Sequence, residues 1–285
     1  RLEDKLNIEK ISIPLKLLQK LPSILRDSGY KVTAVYDGNT MLALEPGDTT
    51  ERQYGIAVDI GTTTVVCYLV DLTTGEQLDV ASRLNAQKSY GGDVISRIAY
   101  ATDNVDGLER LQKEIAGQLE DMIKGLAQKN GIEIEHIYNI VVAANTTMLH
   151  LLAGLNPEHI AAAPFTPVAT GQMVYPAREL GIDINPACRI FMLPCISGYV
   201  GADIVAGILP TGIDQREEMS LMIDIGTNGE MVLGNNKGLI SCSTAAGPAF
   251  EGANIRNGVG GIAGAINTVR LEDGDIQYTT ISNAP

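Results

Sequence analysis

The sequence predicts an α/β fold with an internal duplication, preceded by a small α+β unit. Three observations carry this reading. Two short stretches are versions of one another: Ile56-Ala57-Val58-Asp59-Ile60-Gly61-Thr62-Thr63-Thr64 and Leu221-Met222-Ile223-Asp224-Ile225-Gly226-Thr227-Asn228-Gly229-Glu230. Each is an apolar strand ending in Asp-x-Gly-Thr, followed by a second β-prone run, Val65 to Val70 or Met231 to Leu233. Both therefore read as β-hairpins whose turns carry Gly and Thr. Between them, Leu108, Leu111, Ile115, Leu119, Met122 and Leu126 keep helical spacing up to an Asn130-Gly131 stop, the pattern of a long helix packed on a sheet. Last, Ile137 to Ala144 reads as a buried strand, and Asn145-Thr146-Thr147 opens a helix directly after it.

The duplicated turn has a definite chemistry. Glycine lets a backbone approach a ligand closely, and successive N–H groups beside hydroxyls suit phosphate oxygens. A carboxylate at the strand end repels phosphate unless a hard cation lies between them, and Mg²⁺ binds through one or two carboxylates and several waters. Two facing turns would grip a nucleoside triphosphate from both sides, with Asp59 and Asp224 on the metal. Two ordinary hairpins would use the same turn residues, but two aligned copies on apolar strands favour a shared role. The pair resembles the phosphate 1 and phosphate 2 motifs of the superfamily of actin, hexokinase and heat-shock chaperone ATPases. That resemblance implies two ribonuclease-H-like halves.

Composition narrows the classes. Hydrophobic residues at 45% and charged residues at 19% lie in the range of a soluble globular protein. A net charge of −13 argues against nucleic acid or an anionic membrane as the main partner. No apolar run approaches bilayer length and no signal peptide is visible. Cys67, Cys188, Cys195 and Cys242 are scattered, which fits a reducing cytoplasm and no metal cluster. The chain starts at Arg1 without an initiator Met, so it is expected to be a piece of something longer.

In order, residues 1–50 read as a separate small unit, 54–216 as a first ATPase subdomain and 217–285 as the start of a second. Pro14 and Pro22 each suit the first turn of a short helix, with Gly29 as a C-cap. A hairpin follows around Asp37-Gly38, and Glu45 to Gln53 is expected to be a linker. Asn85 to Val94 is a polar loop near the site, in which Asp93 either serves the site or caps the next helix. Asn145 either caps its helix or contacts the nucleotide or a partner. His150 sits among leucines, with no metal-ligand spacing. Gly198 to Gly207 reads as a small-residue helix; Asp203 within it faces solvent or reaches the waters of the metal. Ser241 to Gly252 reads as a compact nucleotide-side turn containing Gly247, or as a plain strand-to-helix corner. Gly258, Gly260, Gly261 and Gly264 form no dinucleotide fingerprint.

A narrower resemblance runs from Tyr54 onward. The segments DIGTTTV, SYGGDVISRI, NTTMLHLLAG, APFTPV, GYVGAD, DIGTNGE and STAAGPAFEG, in this order, resemble the ATP-dependent reductive activators of corrinoid proteins. The resemblance implies an ATPase that returns an inactivated Co(II) corrinoid to Co(I), with electrons entering through a [2Fe–2S] domain N-terminal to this segment. It also implies that Asp59, Gly61, Thr62, Thr63, Asp224, Gly226, Thr227, Asn228 and Gly229 hold ATP phosphates and Mg²⁺. Gly247, in the nucleotide-side turn, and Asp203, as a third carboxylate, complete the expected site. The implied partner is a methyltransferase-associated corrinoid protein, with a homodimer an open option. The coupling surface is expected at Glu251, Asn145 and Ser89 to Asp93. Three departures stand out: no iron–sulfur cysteines, no glycine-rich adenosine motif before Pro285, and extra glycines from Asn254 to Ile266. The second half is therefore expected to be incomplete and to bind nucleotide weakly alone. A sugar or carboxylic-acid kinase and a non-enzymatic actin-like module remain the alternatives.

Overall fold

The computed structural model describes residues 10–246, 256, 258–259, 263–272 and 274–283. The N-terminal unit is a helix α1 (Leu15–Asp27) against a hairpin of β1 (Val32–Asp37) and β2 (Thr40–Pro46). α1 is one helix rather than the expected two. Pro22 lies inside it and is exposed. Its missing N–H costs one bond to a carbonyl that water can reach, while the apolar stripe on the other side continues unbroken. Gly29 follows the helix at φ +59, the left-handed conformation that suits glycine just past a helix end.

The hairpin does not hand over to a free linker. Glu45 and Pro46 belong to β2, and the Glu45 carboxylate accepts the hydroxyls of Thr49 and Tyr138. The His136 ring lies 3.8 Å from the same carboxylate, and Arg189 pairs with Asp37. The small unit is thereby tied to the end of the main sheet.

That sheet has six strands in the order β5-β4-β3-β6-β8-β7. β3 (Tyr54–Ile60), β4 (Thr64–Asp71) and β5 (Gln77–Leu84) run antiparallel, and β6 (Ile137–Ala144) adds in parallel to the free edge of β3. β7 (Met173–Pro176) and β8 (Arg189–Met192) complete it. Strand alternation puts Ile56, Val58 and Ile60 on one face with Val65, Cys67 and Leu69 of the neighbouring strand. Two helices, α2 (Val94–Asp103) and α3 (Gly107–Lys129), follow β5. α3 covers the sheet with Leu111, Ile115, Leu119, Met122 and Leu126, each at most 3% exposed. Burying each such side chain contributes roughly 1.5–3 kcal/mol. This is the largest core of the molecule, and it fixes the C-terminal ends of β3 and β6, where the site lies.

α4 (Thr146–Ala153) leaves β6 and ends at Gly154, φ +66. α5 spans Ala202–Thr211, so the expected helix over Gly198 to Gly207 starts four residues late. The reason is close approach: a Cβ on Gly198 would lie 2.7 Å from the Phe165 carbonyl oxygen, and one on Gly201 2.5 Å from Asn145 Cα. Glycine is used there to bring the backbone against the β6–α4 corner.

The second hairpin is β9 (Ser220–Ile225) and β10 (Asn228–Asn235), extended by β11 (Gly238–Ala245) in the order β11-β10-β9. Ser241 to Ala245, expected in a compact turn, are instead strand residues paired along β10, with Ser243 opposite Glu230. Gly247 and Glu251 lie outside the described residues. β12 (Ile266–Glu272) and β13 (Asp275–Thr280) form a separate ribbon. A small core of Val200, Ile204, Ile213 and Val232 joins α5 to this hairpin, while Leu221, Ile223 and Ile225 on β9 are more than half exposed. No described helix is long and apolar enough to cross a membrane.

Candidate functional site

The two duplicated turns face each other. Each strand carries an aspartate as its penultimate residue and is turned by the glycine that follows it. Gly61 N–H donates to the Thr64 carbonyl at 2.9 Å, and Gly226 N–H donates to the Asn228 carbonyl at 3.1 Å. A Cβ on Gly61 would stand 2.8 Å from the Thr64 oxygen, so only glycine closes this turn without displacement. Across the gap, the hydroxyls of Thr63 and Thr227 lie 3.3 Å apart.

Between the turns is a cleft of about 120 Å³ lined by Asp59, Gly61, Thr62, Asn145, Asp203, Asp224, Gly226, Thr227, Asn228 and Glu230. Of the residues expected at the site, most are thus brought together. Thr63 is buried beside the cleft. Gly229 is a ladder residue of β10 opposite Ile225. Asp203 lies in the first turn of α5 with its carboxyl toward the cleft, not toward open solvent, and one of its oxygens accepts the Ile204 N–H at 2.9 Å. Burial raises its pKa above the usual carboxylate range, and the charge of Asp224 adds to the shift.

Asn145 caps its helix and also braces the first turn. Its Oδ1 caps α4 by accepting from Met148 N–H at 3.0 Å, and its Nδ2 donates to Thr62 Oγ1 at 3.1 Å. The N-cap thus ties the β6–α4 corner to the first turn. Asn85 adds a second tie, Nδ2 to the Gly61 carbonyl at 2.8 Å. Asp93, in contrast, is an exposed N-cap whose carboxylate accepts the Ser96 N–H at 2.7 Å, and it does not line the cleft.

Two residues carry weight that their sequence positions do not announce. Glu230 is 8% exposed and accepts the Ser243 hydroxyl at 2.9 Å. Burial pushes its pKa up to about 7; the Ser243 hydroxyl opposes the shift, and Asp203 and Asp224 add to it. The signal for it was the inward face that Glu230 shares with buried Val232 on β10. Arg97 is fully buried on α2, on the face that also buries Ile98 and Ala101. A charged residue on an apolar helical face is the signal there.

Both ring nitrogens of His150 are used inside the fold. Its Nε2 accepts the Val168 N–H at 3.0 Å, which leaves Nδ1–H to donate to the Thr146 carbonyl at 2.7 Å. Burial lowers its pKa, so the neutral ring is a structural link. The four cysteines are free, and burial pushes the Cys67 and Cys188 thiols up to about 12. Among the described residues, no three His, Cys, Asp or Glu side chains converge as a ready metal cage.

Comparison with known proteins agrees with this architecture. Residues 54–216 match the family model of the RACo middle region, 218–285 that of the C-terminal domain of RACo, the ASKHA domain, and 1–51 that of the RACo linker region. The corrinoid activation enzyme RamQ of Eubacterium limosum is 40% identical over 255 residues, covering 89% of this chain and 43% of that protein. The [Co(II) methylated amine-specific corrinoid protein] reductase of Methanosarcina barkeri is 30% identical over 228 residues, 77% of this chain and 41% of that protein. A solved structure, a reductive activator for corrinoid, iron–sulfur protein, is 42% identical with a TM-score of 0.86, covering 96% of this chain and 45% of that one. The chain thus spans less than half the length of these relatives. With its facing Asp-x-Gly-Thr turns and matches along its length, the chain belongs to the RACo family.

Proposed function

We propose that this chain forms the phosphate-binding part of an ATPase that drives reduction of a Co(II) corrinoid protein to Co(I). The observation that carries the proposal is the pair of facing turns, with Asp59 and Asp224 lining one cleft beneath them. The polar groups of Thr62, Thr227 and Asn228, with the close backbone approach that Gly61 and Gly226 allow, suit phosphate oxygens from two sides. Among the described residues the cleft is lined by four carboxylates, Asp59, Asp203, Asp224 and Glu230, and by no Lys or Arg. Such a donor set accepts a polyphosphate only together with a cation, so Asp59 and Asp224 would hold Mg²⁺, directly or through water. When bound, that ion neutralises phosphate charge during transfer. Gly201, pressed on Asn145, gives α5 a rigid seat at the junction of the two turns. Closure of one turn on the other can then favour one conformation of a partner, by as much as ATP differs in affinity for the open and closed states.

The relatives' names point to corrinoid proteins as the partner, and the electron enters from a low-potential donor through a [2Fe–2S] domain expected upstream. The test uses the intact polypeptide with a corrinoid protein and such a donor, following the visible spectrum with and without ATP. Co(I) should form faster with ATP, with phosphate released to water. Equal rates without nucleotide, or transfer of the phosphate to a sugar or acid, would overturn this function.

A further inference from the structure

Arg97 is the only Lys or Arg buried among the described residues, and it is fully buried. Among the described residues it forms no ion pair. Its donors go to neutral acceptors: Nε–H to the Gly91 carbonyl at 2.9 Å, one terminal nitrogen to Gln87 Oε1 at 3.4 Å and Met148 Sδ at 3.0 Å, and the other to the Thr62 carbonyl. Asp93, at the start of the same helix, is the charged group whose field reaches it. Burial lowers its pKa to about 10, so it stays protonated at neutral pH.

A buried, unpaired guanidinium is costly, and proteins normally pair such a charge or leave it in water. Here it lies directly behind Thr62, whose front lines the acidic cleft. The Thr62–Thr63 peptide is planar and trans, so the N–H it presents at Thr63 points away from the guanidinium. Arg97 therefore holds the orientation of that peptide and polarises it.

We propose that Arg97 is a positioning residue for bound polyphosphate, bracing the first Asp-x-Gly-Thr turn through the Thr62 carbonyl and supplying the positive charge the cleft lacks. The proposal rests on the nucleotide reading above. A bound nucleoside triphosphate would bring its negative charge into the cleft in front of Thr62, across that peptide from the buried guanidinium.

The test is calorimetry of ATP, ADP and AMP, each with Mg²⁺, on the intact polypeptide, with thermal melting of every variant. Arg97→Met removes the charge. Gln87→Glu keeps the arginine but pairs it, at the expense of the Gln87 bond to the Leu111 carbonyl. Both should weaken ATP about tenfold or more while AMP changes by less than about threefold, because the loss scales with ligand charge. Arg97→Lys keeps the charge without the fork and should leave the ATP-to-AMP ratio near wild type, with each nucleotide weakened by less than about threefold. If Arg97→Met does not fold, Gln87→Glu decides. An unchanged ATP-to-AMP ratio, or equal losses for both ligands in the charge-removing variants, overturns the role of Arg97. A wild-type protein that binds no nucleotide at all overturns the nucleotide reading itself, a separately recognisable result.

Discussion

The hydroxyls of Thr63 and Thr227 lie 3.3 Å apart although 164 positions separate them in the chain. This contact closes the molecule around its acidic cleft. Asp59 and Asp224 stand next to last in the two strands that carry these turns, and both line the cleft. Replacing either with Ala is expected to lower ATP turnover of the intact protein about a hundredfold or more, the scale of losing a preorganised electrostatic group. Phosphate release is the measurement, with melting temperature as control. Turnover near wild type in both variants would remove them from the metal site.

Glu230 makes stability depend on pH in a definite direction. Its folded pKa is raised from 4.5 to about 7. The folded state therefore binds the proton more tightly than the unfolded state. The resulting stabilisation is fully present below pH 4.5 and is lost as pH rises through about 7. Over that interval it amounts to about 3 kcal/mol at 1.36 kcal/mol per unit. Glu230→Gln should flatten this fall in urea unfolding curves measured at pH 5 and pH 8. An identical pH slope in both proteins would show that the carboxyl is not held protonated by the fold.

Gly201 has no room for a side chain. A Cβ there would meet Asn145 Cα at 2.5 Å and the Ala144 carbonyl oxygen at 2.7 Å, both backbone atoms. Gly201→Ala should displace α5 from the β6–α4 corner, destabilise the protein by about 1–3 kcal/mol and weaken nucleotide binding. Its backbone φ of −89° is ordinary, so the effect is steric. Calorimetry and chemical unfolding together check it; wild-type values in both would contradict the close approach.

The docking of the N-terminal unit rests on Glu45. Tyr138→Phe removes one hydroxyl donor from this partly buried carboxylate and leaves Thr49 and the nearby His136 ring. The expected cost is about 1–3 kcal/mol. It should appear as faster amide exchange over residues 32–46, with α3 unchanged. Unaltered exchange in β1 and β2 would mean that other contacts hold the unit.

Much of this fold was legible locally. The duplicated Asp-x-Gly-Thr turns, the stripe of α3 and the caps at Asp93 and Asn145 each follow from neighbours within a few residues, where period and turn chemistry act. The two misplaced helices mark the limit of that reach. Pro22 is tolerated because a continuous apolar face lies opposite it, and Gly198 and Gly201 serve contacts with Phe165 and Asn145 rather than a helix. Ser243 was placed in a turn because its glycine-rich neighbourhood suggested one, whereas pairing with Glu230 draws it into a strand.

What the chain alone determined is which residues end the strands and turn them: Asp59, Gly61 and Thr62, and again Asp224, Gly226 and Thr227. Only the tertiary structure decided that the two turns meet, that Glu230 and Asp203 share their cleft, and that an unpaired Arg97 stands behind Thr62. Local patterns specify the face on which a side chain lies, because they depend on backbone period. The identity of the neighbour across that face depends on how distant strands and helices pack, and the field at a buried charge depends on the same packing.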